Sequence, residues 1–254
     1  MALDFTTTDV VDYGSGTSVD DPFVNDGTLM AWVFPDAVPP LVAGSWARKG
    51  TGGLVWNATT TSFQCTIGRS TQSLSMTATF ANAATYAATK WCAVAAIWDM
   101  AGANGDQRMF HGDLATPFAE VAAYSLQRVG SGTPTDVSGS SLIVGNNPLG
   151  ALPFDGKIGF IALWNRRLSL TELIAQQLHP SVTDGCVLFS YLGIGNTTEA
   201  DWSGNGNQGT VTGTTLFPNA PLLPWYGGFS GYRGSIISPK PWTYYAQQFQ
   251  QAGR

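Results

Sequence analysis

Charge is what this chain has least of. Asp, Glu, Lys and Arg make up 11% of its 254 residues, against roughly 25% in an average domain. Such a chain, 12% aromatic, does not match the charge-rich, aromatic-poor composition of disorder. Its net charge of −5 excludes a generally basic nucleic-acid binder. Long apolar runs are missing too. The longest, Trp91 to Trp98, is far short of the ~20 residues that span a bilayer. The first residues carry acids at Asp4, Asp9 and Asp12 and no basic-then-apolar pattern. No secretory signal and no membrane partner are therefore expected.

Cysteine, histidine and glutamate are also scarce. Cys65, Cys92 and Cys186 form an odd set at no metal spacing, expected to be free buried thiols of a protein made in a reducing cytoplasm. The histidines are His111 and His179, and without a G-x-S-x-G elbow neither suggests a Ser-His-Asp triad. The glutamates are Glu120, Glu172 and Glu199. None has an acid at strand spacing to make the carboxylate pair of glycoside hydrolysis. No catalytic set is expected, and the chain reads as a non-enzyme.

Glycine (30) and proline (14) are plentiful, which favours many turns over long helices. Short segments rich in Val, Thr, Phe and Trp alternate with Gly, Asn, Asp and Pro clusters. The strands expected are 28–35, 53–58, 62–68, 74–80, 91–99, 107–111, 118–124, 141–145, 154–164 and 186–192. Regular short strands of this kind predict an all-β sandwich or barrel. In 91–99, Trp91, Ala93, Ala95 and Ile97 share one side and Cys92, Val94, Ala96 and Trp98 the other, so this strand is expected to be covered twice. In 154–164, Ile158, Phe160, Ala162 and Trp164 are expected to face one way. One helix is specified. Ser169 and Glu172 make a capping box, Leu170, Leu173, Ile174 and Leu178 follow at helical spacing, and His179-Pro180 stops the run.

Gly204-Asn-Gly-Asn-Gln-Gly209 matches G-x-G-x-x-G, but a strand-forming Thr-Val-Thr follows it where a dinucleotide site needs a helix. A tight turn is expected there. Asn57-Ala-Thr59 and Asn196-Thr-Thr198 fit the glycosylation sequon by chance, given no secretory signal.

Several segments together resemble the laminin-G-like, concanavalin-A-like jelly-roll family. These are Gly27-Thr-Leu-Met-Ala-Trp-Val-Phe34, Trp91-Cys-Ala-Val-Ala-Ala-Ile-Trp-Asp99 and Ser141-Leu-Ile-Val-Gly-Asn146. The strongest runs from Phe154-Asp-Gly-Lys-Ile158 to Leu168-Ser-Leu-Thr-Glu-Leu173. Asp201–Gly213 resembles a D-x-S-G-N-G element found beside such domains, although here it follows the helix. The resemblance covers about residues 3–220. It implies a two-sheet antiparallel jelly-roll sandwich with one short helix. It also implies a calcium ion at a sandwich rim, with Asp99, Asp106 and Asp155 as the ligands by place; the alternative is that these acids simply form turns. A lectin-like member would bind a glycan on exposed rings, for which Trp46, Trp56 and Trp202 are the candidates; the alternative is that these tryptophans are buried or lie at sheet edges.

Residues 1–222 are expected to form the sandwich and 223–254 an extended arm. The arm carries Trp225, Tyr226, Phe229, Tyr232, Trp242, Tyr244, Tyr245 and Phe249 and no acid, which suits docking on another chain. The expected function is a virion structural protein, a capsid decoration or cementing protein of a bacteriophage. Its partners would be the major capsid protein or another virion protein, and neighbouring copies in a homotrimer. The alternative is a carbohydrate-binding module of a phage tail or fibre.

Overall fold

The computed structural model describes residues 1–6, 8–20, 22–37, 44–50, 52–57, 62–100, 107–147, 149–195 and 197–218, with the side chains of Trp56 and Asn57 excepted. In chain order the strands are β1 (Ala2–Phe5), β2 (Val10–Asp12), β3 (Gly27–Pro35), β4 (Gly44–Lys49), β5 (Gly52–Asn57), β6 (Ser62–Ile67), β7 (Leu74–Thr79), β8 (Cys92–Trp98) and β9 (Arg108–Asp113). There follow β10 (Ala119–Glu120), β11 (Leu126–Arg128), β12 (Leu142–Val144) and β13 (Gly156–Trp164). Helix α1 (Leu170–Leu178) precedes β14 (Cys186–Tyr191), β15 (Thr198–Glu199), β16 (Gly209–Thr212) and β17 (Thr215–Phe217).

Two antiparallel sheets form a jelly-roll sandwich. The first runs β10-β9-β8-β3-β13-β1-β17, with β14 also paired to β13; the second runs β11-β7-β6-β5-β4-β12-β2-β16-β15. Between them lies one core that includes Leu29, Val33, Trp46, Phe63, Val94, Trp98, Ile161 and Leu188. A second cluster, with Trp32, Ala95, Phe110, Phe160, Trp164, Leu173 and Phe189, covers the outer face of the first sheet. β8 is thus buried on both sides, divided as its alternation predicts: Cys92, Val94, Ala96 and Trp98 inward, Ala93, Ala95 and Ile97 outward.

The alternation of β13 breaks once. Phe160, Ala162 and Trp164 join the outer cluster, but Ile158 lies in the inner core. The cause is a bulge: Ile158 pairs with Val33 and Phe160 with Trp32, leaving Gly159 without an opposite residue. One extra residue reverses the facing of everything on one side of it. A bulge in β4 acts alike. Ser45 pairs with Val55 and Ala47 with Leu54, so consecutive Trp46 and Ala47 both enter the core.

Helix α1 forms where its sequence specifies. The Ser169 hydroxyl accepts the Glu172 N–H at 3.3 Å, and the Glu172 carboxylate accepts the Ser169 N–H at 2.8 Å. Leu173 is buried, but Leu170 is 46% exposed, and Gln176 and Gln177 take buried positions instead. Gln177 is a clamp. Its carbonyl oxygen accepts the Phe118 N–H at 2.6 Å, and its amide donates to the Asp113 and Thr116 carbonyls at 2.7 and 2.8 Å. The helix is thereby fastened to the β9–β10 hairpin.

The glycine-rich match at 204–209 is a turn. Gly204 and Gly206 have φ of 90° and 77°, and strand β16 follows. Asp201 anchors it, accepting N–H bonds from Phe189 at 3.1 Å, Ser203 at 2.9 Å and Asn207 at 3.0 Å.

Candidate functional site

A cleft of about 430 Å³ opens on the outer face of the first sheet, lined by Ile97, Arg108, Phe110, Glu120 and Arg167–Leu170. Register puts it there. Ile97 pairs with Arg108, Ala95 with Phe110, and Phe110 with Glu120, so the outward positions of β8, β9 and β10 converge. Ile97 and Phe110, 6% and 3% exposed, make an apolar floor with Leu168. The opposite wall is the link from β13 into α1. It is fixed by buried Thr28, whose hydroxyl donates to the Arg166 carbonyl at 2.9 Å and accepts the Leu168 N–H at 2.9 Å.

The rim is polar. Arg108 faces Glu120 at 3.7 Å, a cross-strand pair of opposite charge. Tyr124 donates its hydroxyl hydrogen to Glu120 at 3.0 Å while accepting the Met109 N–H at 2.7 Å. Arg167 is held by Asp99 at 2.5 Å and Asp26 at 3.6 Å. The two guanidinium side chains remain about half exposed, at 51% and 45%. Two cations beside three carboxylates leave no excess of positive charge. Such a rim offers forks of donors and acceptors to paired oxygens of an uncharged ligand.

The residues singled out in the sequence fall elsewhere, with one exception. Asp99 borders the cleft, where it orients Arg167. Asp155 immediately precedes β13, whereas Asp99 follows β8 at the end where Trp98 pairs with Gly27 and Trp164 with Thr28. The nine residues of β13 separate the two ends by about 30 Å, so these two acids do not share one ion. Asp106 lies outside the described residues. Among the described residues, no three of His, Cys, Asp or Glu are grouped to hold a metal ion. Trp46, a sugar-platform candidate with burial as its alternative, is fully buried, because its bulge turns it inward. Trp202 is half-buried against the outer cluster, and the Trp56 side chain lies outside the description. The eight aromatic docking residues, Trp225 to Phe249, also lie outside the described residues.

The scarce titratable groups have structural places. Glu172 also receives Arg166 at 2.7 Å, and that bond with the capping contacts holds its carboxyl down at about 2. Glu199 is fully buried and accepts N–H bonds from Gly193 at 2.7 Å and from Ile194 and Gly195, both at 3.3 Å. His111 is buried with its Nδ1 2.7 Å from the Thr85 hydroxyl, and burial lowers its pKa. His179 caps the end of α1. The three cysteines are buried and free.

The sequence reading missed Arg108 and Arg167 and weighed Glu120 only as a lone acid. A cross-strand Arg–Glu pair, and a double arginine just before a capping box, are the signals that point to them.

No protein-family model matches the chain, and no curated protein matches it. Among solved structures it is similar to a candidate carbohydrate binding protein from Bacteroides ovatus ATCC 8483, with 17% identity and a TM-score of 0.56. The match covers 84% of this chain and 58% of that one, so the chain spans little more than half the length of that protein. Two weaker likenesses are the CBM40 of the Ruminococcus gnavus IT-sialidase and tailspike protein 2 of the Escherichia coli O157:H7 bacteriophage CAB120. The first has 15% identity and a TM-score of 0.48, covering 69% of this chain and 96% of that one. The second has 12% identity and a TM-score of 0.49, covering 75% and 26%. Identities this low show a shared fold alone, and the two scores below 0.5 carry no weight.

Proposed function

We propose that the chain is a non-catalytic carbohydrate-binding module whose ligand site is the cleft between β8–β10 and the start of α1. One observation carries the reading: half-exposed Arg108 and Arg167, each oriented by carboxylates, stand over the apolar floor of Ile97, Phe110 and Leu168. A sugar ring offers the complement, with hydroxyl pairs for the rim and C–H faces for the floor. Three carboxylates beside two guanidinium groups favour a neutral hexopyranoside over an anion. The carboxylates at the rim are engaged with guanidinium groups, which suits binding and leaves no evident acid–base pair for hydrolysis. The sandwich shared with the Bacteroides ovatus protein, described as a candidate carbohydrate binder, supports the same reading at the level of fold.

The test is a screen of neutral oligosaccharides on an array, followed by titration calorimetry of the full chain and of Arg108→Ala. A neutral glycan is expected to bind the wild type, on the order of tenfold more tightly than the variant, the scale of one lost charged hydrogen bond. Absence of any neutral ligand, or equal binding by both chains, overturns the proposal.

Decoration of a virion by a homotrimer ranks second. It rests on residues 223–254, whereas the cleft belongs to the described surface. It forecasts shell binding that no sugar displaces.

A further inference from the structure

A second surface lies on the same sheet, toward β17. Phe34 stands between two other half-buried rings, with its centroid 5.6 Å from Trp91 and 5.9 Å from Phe217. The Lys157 ammonium sits 5.5 Å from the centroids of both Phe34 and Phe217. Phe217 lies on the edge strand β17 and shares this outer face, whereas its neighbour Leu216 points to the opposite face, where its partner Leu3 joins the inner core. Gly193 packs against the backbone of Ala2, the partner of Phe217, and the next residue, Ile194, is 56% exposed. The border is acidic: Asp36 and Asp4 approach Lys157 at 2.5 and 3.5 Å, leaving two carboxylates to one ammonium.

We propose that this surface is the docking site of residues 223–254 of the same chain. Three observations select that occupant. The described residues end at Pro218, directly after Phe217, and only residues 219–222 separate it in sequence from the segment. The segment carries eight aromatic side chains, each able to cover ~150–250 Å², and the patch presents the rings of Phe34, Trp91 and Phe217 to receive them. Its charges are Arg233, Lys240 and Arg254, with no acid, complementary to the Asp4 and Asp36 border. Attachment in the same chain favours this copy over a neighbouring one, because a short tether holds the effective concentration near the millimolar range. The site is separate from the sugar cleft and stands or falls independently of it.

Hydrogen exchange read by mass spectrometry on the full chain tests it. Peptides from 223–254 are expected to exchange on the order of tenfold slower than a random chain, equally at all protein concentrations. Phe217→Asp is expected to remove that protection. Ile194→Asp, in a loop, is expected to do the same and serves if the edge-strand variant unfolds. Leu114→Asp, on the β9–β10 turn, is expected to leave it intact. Exchange at the random-chain rate in the wild type overturns the proposal, as does protection that survives both patch variants. Protection that grows with concentration also overturns it and assigns the site to a second copy.

Discussion

Replacing Gln177 by Leu keeps the volume of the side chain and removes an amide that makes three hydrogen bonds across the helix–hairpin junction. Each bond contributes about 1 kcal/mol net, and a buried group left unpaired costs about 1–3 kcal/mol. The Thr116 carbonyl keeps a second donor, the Asp113 N–H at 3.0 Å. The loss therefore concentrates on the buried Phe118 N–H and the Asp113 carbonyl. Together they imply a destabilisation of about 2–4 kcal/mol, or a fall in Tm of roughly 4–16 °C for a chain of this size. Urea unfolding and a thermal melt measure it. Gly112→Ala is the companion change, since a Cβ there would meet the Gln177 amide nitrogen at 2.6 Å and the Thr116 carbonyl oxygen at 2.9 Å. The hairpin carries Arg108, Phe110 and Glu120, so glycan affinity is expected to fall with stability in both variants. A loss under about 0.5 kcal/mol, the scale of an ordinary surface change, would refute the clamp.

Ser169→Ala is expected to cost about 0.5–2 kcal/mol, seen in the same melts. Glu172 is depressed in the folded chain to about 2 from 4.5. Its contribution is therefore complete above pH 4.5 and lost as pH falls through about 2; Glu172→Gln is expected to flatten the stability curve over that window. Ile158→Ala is expected to cost about 2–5 kcal/mol as an inner-core truncation, whereas an outward Ile158 would repack against α1 and perturb the helix signal in far-UV dichroism. Burial pushes Cys65 and Cys186 up to about 12 and Cys92 up to about 11, so the native protein is expected to resist iodoacetamide at pH 8 by mass spectrometry until denaturant is added.

What was legible in the sequence was local. Alternation placed β8 and both its faces, and a capping box placed α1 to within a residue of each end. β13 was found, but Gly159 in its middle hid a bulge, and alternation has no means of counting an unpaired residue. β4 was missed because Arg48 and Lys49 close it. Lys49 is nonetheless fully buried, its ammonium donating to the Ser140 carbonyl, and no neighbour in sequence announces a partner 91 positions away. The short edge strands β11, β15 and β17 are shaped by pairing rather than by their own propensity, which is weak over two or three residues, and of the strand expected over 118–124 only β10, Ala119–Glu120, forms.

The cleft shows why a binding site was harder to read than a fold. Arg167 meets Asp99 across 68 positions, and in sequence each stands among turn residues that explain it without function. The resemblance offered Asp99 as a calcium candidate by place, with a turn as the alternative; in the fold the Arg167 guanidinium pairs with it, and the carboxylate supports a donor. Arg108 and Glu120 are nearer in sequence, but they face each other only if the connection between β9 and β10 closes in the register that sets Phe110 opposite Glu120. Gln177 holds that connection from the helix. The cleft therefore depends on an uncharged residue on the helix, outside the lining, and substitution at Gln177 separates its assembly from its chemistry: a glycan site weakened by Gln177→Leu and by Arg108→Ala, with only the first lowering Tm, is one built as described.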